Sequence, residues 1–319
     1  MDRNFDHPGA LHFYIHATEA SDSPERALKA ADNLRDLAPG AGHLVHMPAH
    51  TYIRTGRYAD ASLANIKAIA ADDDYITQCR SQGIYPLAYH PHNIHFLWAA
   101  ATMEGRSQVA IEAAEKLASK VPVEMMGDPE MAMLDSFHAT PWYALVRFGR
   151  FDEVLARPMP DEKLVFETGI AHYARGVALA AAGKHAAAQA ELAALSEAVN
   201  DESIKDFRIF GLNALTSVLE VAEATLRGEL AARRGDYERA IELLQQAILL
   251  EDGLMYSEPP DWHYPVRQTL GAVLLEAGRP EEAITVYWDD LRRHRNNGWS
   301  LFGLWQALEA VGDYRADEI

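Results

Sequence analysis

Cysteine is nearly missing: the chain has 319 residues and one cysteine, Cys79. A single thiol forms no internal disulfide and no thiolate metal cluster. Positive charge is also scarce, with 29 Lys and Arg against 47 Asp and Glu and a net charge of −18. A surface that acidic repels phosphate backbones, so nucleic acid is not an expected partner. Solvated helix faces are the simplest source of the charge. No apolar run approaches the roughly 18 residues of a membrane helix, so no membrane partner is expected. The start, MDRNFDHPGALH, lacks the apolar core of a secretory signal. As it stands the chain reads as cytoplasmic, with the periplasm the alternative if the native N-terminus lies further upstream. Also missing are the phosphate loop G-x-x-x-x-G-K-[ST], the dinucleotide turn G-x-G-x-x-G after a strand, the zinc helix H-E-x-x-H and the G-x-S-x-G elbow. No stretch alternates long enough to argue a strand.

What is present is apolar residues, at 49 % ample for a core, and a recurring local phrase. A helix is followed by a short turn, a small residue five positions on, and a second helix. TGRYADA (55–61), RGDYERA (234–240) and AGRPEEA (277–283) are clear copies. EGRSQVA (104–110) and AGKHAAA (182–188) are looser; SDSPERA (21–27) has Asp22 for the glycine and FGRFDEV (148–154) has Val154 for the alanine. VGDYRAD (311–317) begins one more. Apolar stripes such as Ala64, Ile66, Ala68, Ile69 and Ile241, Leu243, Leu244, Ile248 fit helices.

These phrases sit in segments of about 34 to 45 residues, and they resemble the tetratricopeptide repeat (TPR) family. Gly56, Tyr58, Ala61 and Gly235, Tyr237, Ala240 carry the resemblance, with Pro39 and Pro122 where that family ends its second helix. It implies an all-α fold, a right-handed superhelical solenoid of about seven TPR-like helix pairs plus a terminal helix. The expected pairs are 7–20 with 24–38, 43–55 with 58–71, 91–104 with 107–120, 131–148 with 151–157, 163–182 with 185–199, 206–234 with 236–250 and 262–277 with 280–294, then a helix at 299–311. Longer loops are expected at 72–90, 121–130 and 252–261, and the SEPPDWHYP run (257–265) reads as a stiff connector, with a lid the alternative. Residues 1–122 form the His-rich repeats with the expected site, and 123–319 further repeats of the same solenoid.

Nine of the 14 histidines lie between His7 and His95. His12, His46 and His95 each stand ten residues before the turn residue of their repeat, Asp22, Gly56 and Gly105. His43 and His92 stand thirteen before it, His16 and His50 six, and Glu19 three. Steps of three, four and three residues keep all these positions on one helix face. The family resemblance implies that this face lines a concave groove, where stacked repeats bring the imidazoles together.

Imidazole nitrogen is the commonest protein ligand for such metals as Zn, Cu and Fe. A pair at i, i+4 such as His12/His16 or His46/His50 chelates one ion from a single helix. The expected ligands of a transition metal ion (Zn, Cu or Fe) are His12, His16, His43, His46, His50, His92 and His95. Glu19, Tyr52 and Tyr89 are the candidate proton handlers of a metal-dependent enzyme, hydrolytic or oxidative. The competing reading is a non-enzymatic adaptor whose groove takes a peptide, a protein partner or a small-molecule ligand. The phrases HPGALHxxIH and HxxHMPxH are similar to those of a His-rich, largely uncharacterised group of bacterial TPR proteins; here they stand as His7, His12, His16 and His43, His46, His50.

Overall fold

The computed structural model describes residues 5–80, 83, 85–126 and 129–319, without the side chains of 129 and 133. Parts of the expected loops 72–90 and 121–130, and the first four residues, lie outside them. Among the described residues the chain is all-α apart from one short hairpin. In order the elements are α1 (Pro8–Glu19), α2 (Leu28–Leu34), α3 (Gly42–His46), α4 (Pro48–Arg54), α5 (Tyr58–Cys79), α6 (His90–Met103) and α7 (Ser107–Ser119). There follow α8 (Ala132–His138), α9 (Thr140–Arg147), α10 (Phe151–Ala156), α11 (Val165–Ala181), α12 (His185–Val199), β1 (Arg208–Ile209), β2 (Asn213–Ala214) and α13 (Leu215–Arg233). The chain ends with α14 (Tyr237–Asp252), α15 (Val266–Glu276), α16 (Pro280–Arg293) and α17 (Gly298–Val311).

The recurring turn has one physical form. Gly56 and Gly105 hold φ at +76° and +73°, where a Cβ is strained, and Gly149, Gly183, Gly235, Gly278 and Gly312 repeat that conformation. The residue after each glycine closes the same back-bond, Arg57 N–H to the Tyr52 carbonyl at 2.8 Å and Arg106 N–H to Ala101 at 2.9 Å being two of them. The small residue five positions on is the knob that lets the paired helices touch: Ala27, Ala61, Ala110, Val154, Ala188, Ala240 and Ala283 are all 0 % exposed. Proline begins several helices, as at Pro8, Pro48 and Pro91, where its missing N–H costs no helical bond.

Besides α2 covering only Leu28–Leu34 of the expected 24–38 and α15 starting at Val266 rather than 262, the structure differs from the expected elements in four places. The first helix of pair two is interrupted at Met47, because Pro48 has no N–H to give to the preceding turn. Its partner α5 runs on to Cys79, past the expected end at 71. The helix expected at 131–148 breaks between α8 and α9 ahead of Pro141. The helix expected from 206 starts at Leu215, since Arg208–Ile209 pair antiparallel with Asn213–Ala214 in a hairpin.

The chain folds as two units, Met1–Val121 with Leu291–Gly298, and Pro122–Asp290 with Trp299–Ile319. The first has a core of Leu11, Ile15, Leu34, Met47, Tyr52, Phe96 and small residues including Ala61, packing α1, α2, α4, α5 and α6 together. In the second, α11 packs on α12 and α13 on α14. There Trp142, Phe166 and Tyr173 are buried, and Trp262 and His263 of the SEPPDWHYP run (257–265) lie among Tyr143, Tyr173 and Tyr264. Among the described residues no helix is long and apolar enough to cross a membrane.

Candidate metal centre

The first unit gathers the imidazoles. His12, His16 and Glu19 come from α1, His43 and His46 from α3, His50 from α4 and His92 from α6. Neighbouring rings touch edge to face: His12–His43 at 5.0 Å between centroids, His16–His50 at 5.2 Å, His46–His50 at 4.8 Å and His46–His92 at 4.9 Å. Phe96 closes the inner side, 4.6 Å from both His46 and His50.

Hydrogen bonds fix which nitrogens carry protons. Asn65 donates its amide to the Ala61 carbonyl at 2.8 Å, which turns its oxygen toward His46. His46 therefore donates Nδ1–H to Asn65 Oδ1 at 2.7 Å. A carboxylate only accepts, so His50 donates Nδ1–H to Glu19 at 3.1 Å, and His16 donates Nδ1–H to the same carboxylate at 3.1 Å. With both Nδ1 positions protonated, the Nε2 atoms of His46 and His50 face each other at 3.0 Å. The Nε2 atoms of His12 and His43 meet at 3.3 Å.

Burial favours the neutral form of His43, His46 and His92. Burial pushes His46 and His92 well below the ordinary histidine value, and neighbouring imidazoles add to it. Burial likewise lowers His43 to about 4, with His12 second. Burial alone would raise the Glu19 carboxyl, but the hydrogen bonds from His16 and His50 outweigh it and hold it at about 2. Neutral imidazole is the form that binds a metal.

Three groups have ligand atoms within 4.8 Å of one another: His12, His16 and His43; His46, His50 and His92; and His16, Glu19 and His50. His95, expected in the same register as His12 and His46, is in none of them. Its ring stacks on Trp98 at 5.1 Å with an interplanar angle of 4°, and burial lowers it to about 3. Tyr89 sits at the edge of the cluster, 5.1 Å from the His43 ring. Tyr52, two residues beyond His50, leaves α4 on another side; its ring lies in the apolar core, and its hydroxyl donates at the core's edge to Asp32 at 2.8 Å, under the Arg57 guanidinium.

Two supporting residues were not expected from the sequence. Asn65 is fully buried in the alanine-rich run ASLANIKAIA (61–70), and a lone amide in such a run is its only signal. Asp72, also fully buried, accepts from Tyr85 at 2.6 Å and Asn93 at 2.7 Å, bracing α5 against the start of α6. Of the later histidines, His138 pairs with Glu167 at 2.6 Å and His172 with Glu191 at 2.6 Å, both in the second unit.

The site and fold define a helical repeat protein with a histidine cluster in its first repeats. No family model and no curated protein matches the chain. Among solved structures it is similar to the assembly chaperone of RpL4 (Acl4), at 14 % identity over 99 % of each chain and a TM-score of 0.29. A structure of Naa15/Naa10 bound to HypK-THB is similar at 16 % identity and a TM-score of 0.30, covering 98 % of this chain and 40 % of that one.

Proposed function

We propose that the first unit binds a first-row transition-metal ion on His46, His50 and His92. The observation that carries the reading is the approach of the His46 and His50 Nε2 atoms to 3.0 Å, with each ring's other nitrogen already committed as a donor. In neutral rings that leaves two lone pairs facing each other. A cation between them turns repulsion into coordination. At a Zn–N bond of about 2.0–2.1 Å, two tetrahedral ligand nitrogens stand about 3.4 Å apart, so a small outward adjustment seats the ion. His92 supplies the third nitrogen.

Three imidazoles favour Zn, Cu or Fe over harder cations, with copper the tightest by the usual affinity order. A three-histidine set leaves a position for water or substrate, as catalytic sites do. Bound zinc would supply an activated water for hydrolysis, bound copper or iron oxygen chemistry. Asn65 and Glu19 act as outer partners that orient the ligating rings. Glu19, expected as a proton handler, is thus read as a positioning residue, Tyr52 as a core residue, and Tyr89 as the remaining proton handler at the rim. The Gly-x-Tyr turns and their buried alanines support reading the helix pairs as TPR-like.

Elemental analysis of untagged protein should find metal bound, and His46→Ala/His50→Ala should lose it from the inner set. Protein that stays metal-free after incubation with Zn²⁺, with stability indifferent to a chelator, would overturn the reading and favour an adaptor that docks a protein partner.

A further inference from the structure

We infer that the cluster holds two ions: an enclosed one on His46, His50 and His92, and a solvent-facing one on His12, His16 and His43, coupled through Glu19. The inference rests on the metal reading above and extends it to ligands that reading leaves unused.

The two histidine sets share no residue, so filling one takes no ligand from the other. The second set has its own convergence. The His12 ring lies 4.9 Å from His16 and 5.0 Å from His43. The His12 and His43 Nε2 atoms are 3.3 Å apart, close to the roughly 3.4 Å of two nitrogens on one tetrahedral ion. His16 is prepared as His50 is, with Nδ1–H given to Glu19 and Nε2 left for an ion.

Glu19 is the junction. Its Oε2 lies 3.2 Å from His16 Nδ1 and 3.1 Å from His50 Nδ1, one imidazole from each set. A charge change at either ion is felt by the other through this carboxylate. The sets also differ in access: the His16 side chain is 38 % exposed and the His50 side chain 6 %. The enclosed ion is therefore the slow-exchanging one, and the outer ion is the one that meets exogenous ligands. Two dications beside a single carboxylate leave positive charge uncompensated, which favours an anionic ligand such as hydroxide or a substrate carboxylate at the outer ion.

The test is to load metal-free protein with Zn²⁺, remove excess by gel filtration and measure zinc per chain. Release to a chromogenic chelator is then followed in time. Two zincs released in a fast and a slow phase are expected. His12→Ala/His43→Ala should retain one zinc and only the slow phase. His46→Ala/His92→Ala should retain one and only the fast phase. The matching glutamine pairs, which keep polarity and bulk, serve if an alanine pair fails to fold as judged by circular dichroism. One zinc in the parent protein that is lost in His46→Ala/His92→Ala overturns the two-ion inference and leaves the metal reading standing; one zinc that survives in that pair overturns both. No zinc overturns both.

Discussion

Asn65 offers the sharpest test of how the inner site is built. Replacing it with leucine keeps the bulk in α5 but removes the acceptor for His46 Nδ1–H, now 2.7 Å away. It also removes the amide that donates to Ala61 at 2.8 Å. His46 is fully buried, so its N–H gains no water in exchange. A buried donor left without a partner costs about 1–3 kcal/mol. At about 2–4 °C per kcal/mol, the melting temperature of the metal-free protein should drop by about 2–12 °C. Removing a partner that orients a ligating histidine typically weakens metal binding about 10–100-fold. A competition titration with a zinc indicator should show that loss for Asn65→Leu. Asn65→Asp, which keeps an acceptor facing His46, should bind within a few-fold of the parent. Equal zinc affinity in Asn65→Leu and the parent would refute the claim that Asn65 sets the His46 tautomer for ligation.

Four further outcomes are expected. In Gly42→Ala the new Cβ would fall 1.8 Å from Asp72 Oδ1, so the carboxylate must move off Tyr85 and Asn93; a loss of about 2–4 kcal/mol in urea unfolding is expected from two buried hydrogen bonds, and an unchanged midpoint would count against the brace. Tyr52→Phe should cost about 1 kcal/mol from the Asp32 bond while leaving zinc uptake untouched; lost uptake would return Tyr52 to the site. The metal-free protein should lose stability as pH falls from the ordinary histidine value near 6.5 toward about 4, the His43 value. In that window the unfolded chain binds a proton that the fold refuses, for at most about 1.4 kcal/mol per pH unit per histidine. Glu19, held at about 2, adds its loss only below the ordinary carboxylate range; a flat denaturation midpoint between pH 7 and 5 would contradict both burial and neutrality. Stripping zinc with a chelator should lower the melting temperature, by the equivalent of about 2.7 kcal/mol if the ion was present at a hundred times its dissociation constant.

The repeat was legible because its turn is chemically narrow. A left-handed residue demands glycine, and a helix crossing demands a small side chain five positions later, so Gly56 with Ala61 and Gly235 with Ala240 announce themselves. The histidines were legible because offsets of three and four residues define a helix face. What equal offsets could not give is the rotation of each helix about its axis. The sequence pattern ranks His95 with His46, whereas in the fold His92, one turn earlier, meets His46 and His50, and His95 lies flat on Trp98. Nor do offsets reveal the residues that orient the rings. Asn65 and Asp72 sit in the second helix of a pair, 13 to 21 positions from His46, Tyr85 and Asn93, the side chains they bind, and no local periodicity encodes such a contact. The hairpin at 208–214 escaped because two residues per strand are too few to alternate.

Helix α1 turns toward the core only Leu11, Ile15 and Thr18, while carrying His12, His16 and Glu19 on its adjoining face. Most of the outer donor set and the bridging carboxylate thus hang from one slender seam. Under the two-ion proposal, fraying that seam would unload the outer centre and slacken the grip on His50 in a single event, and the docking of α1 would be thermodynamically linked to occupancy.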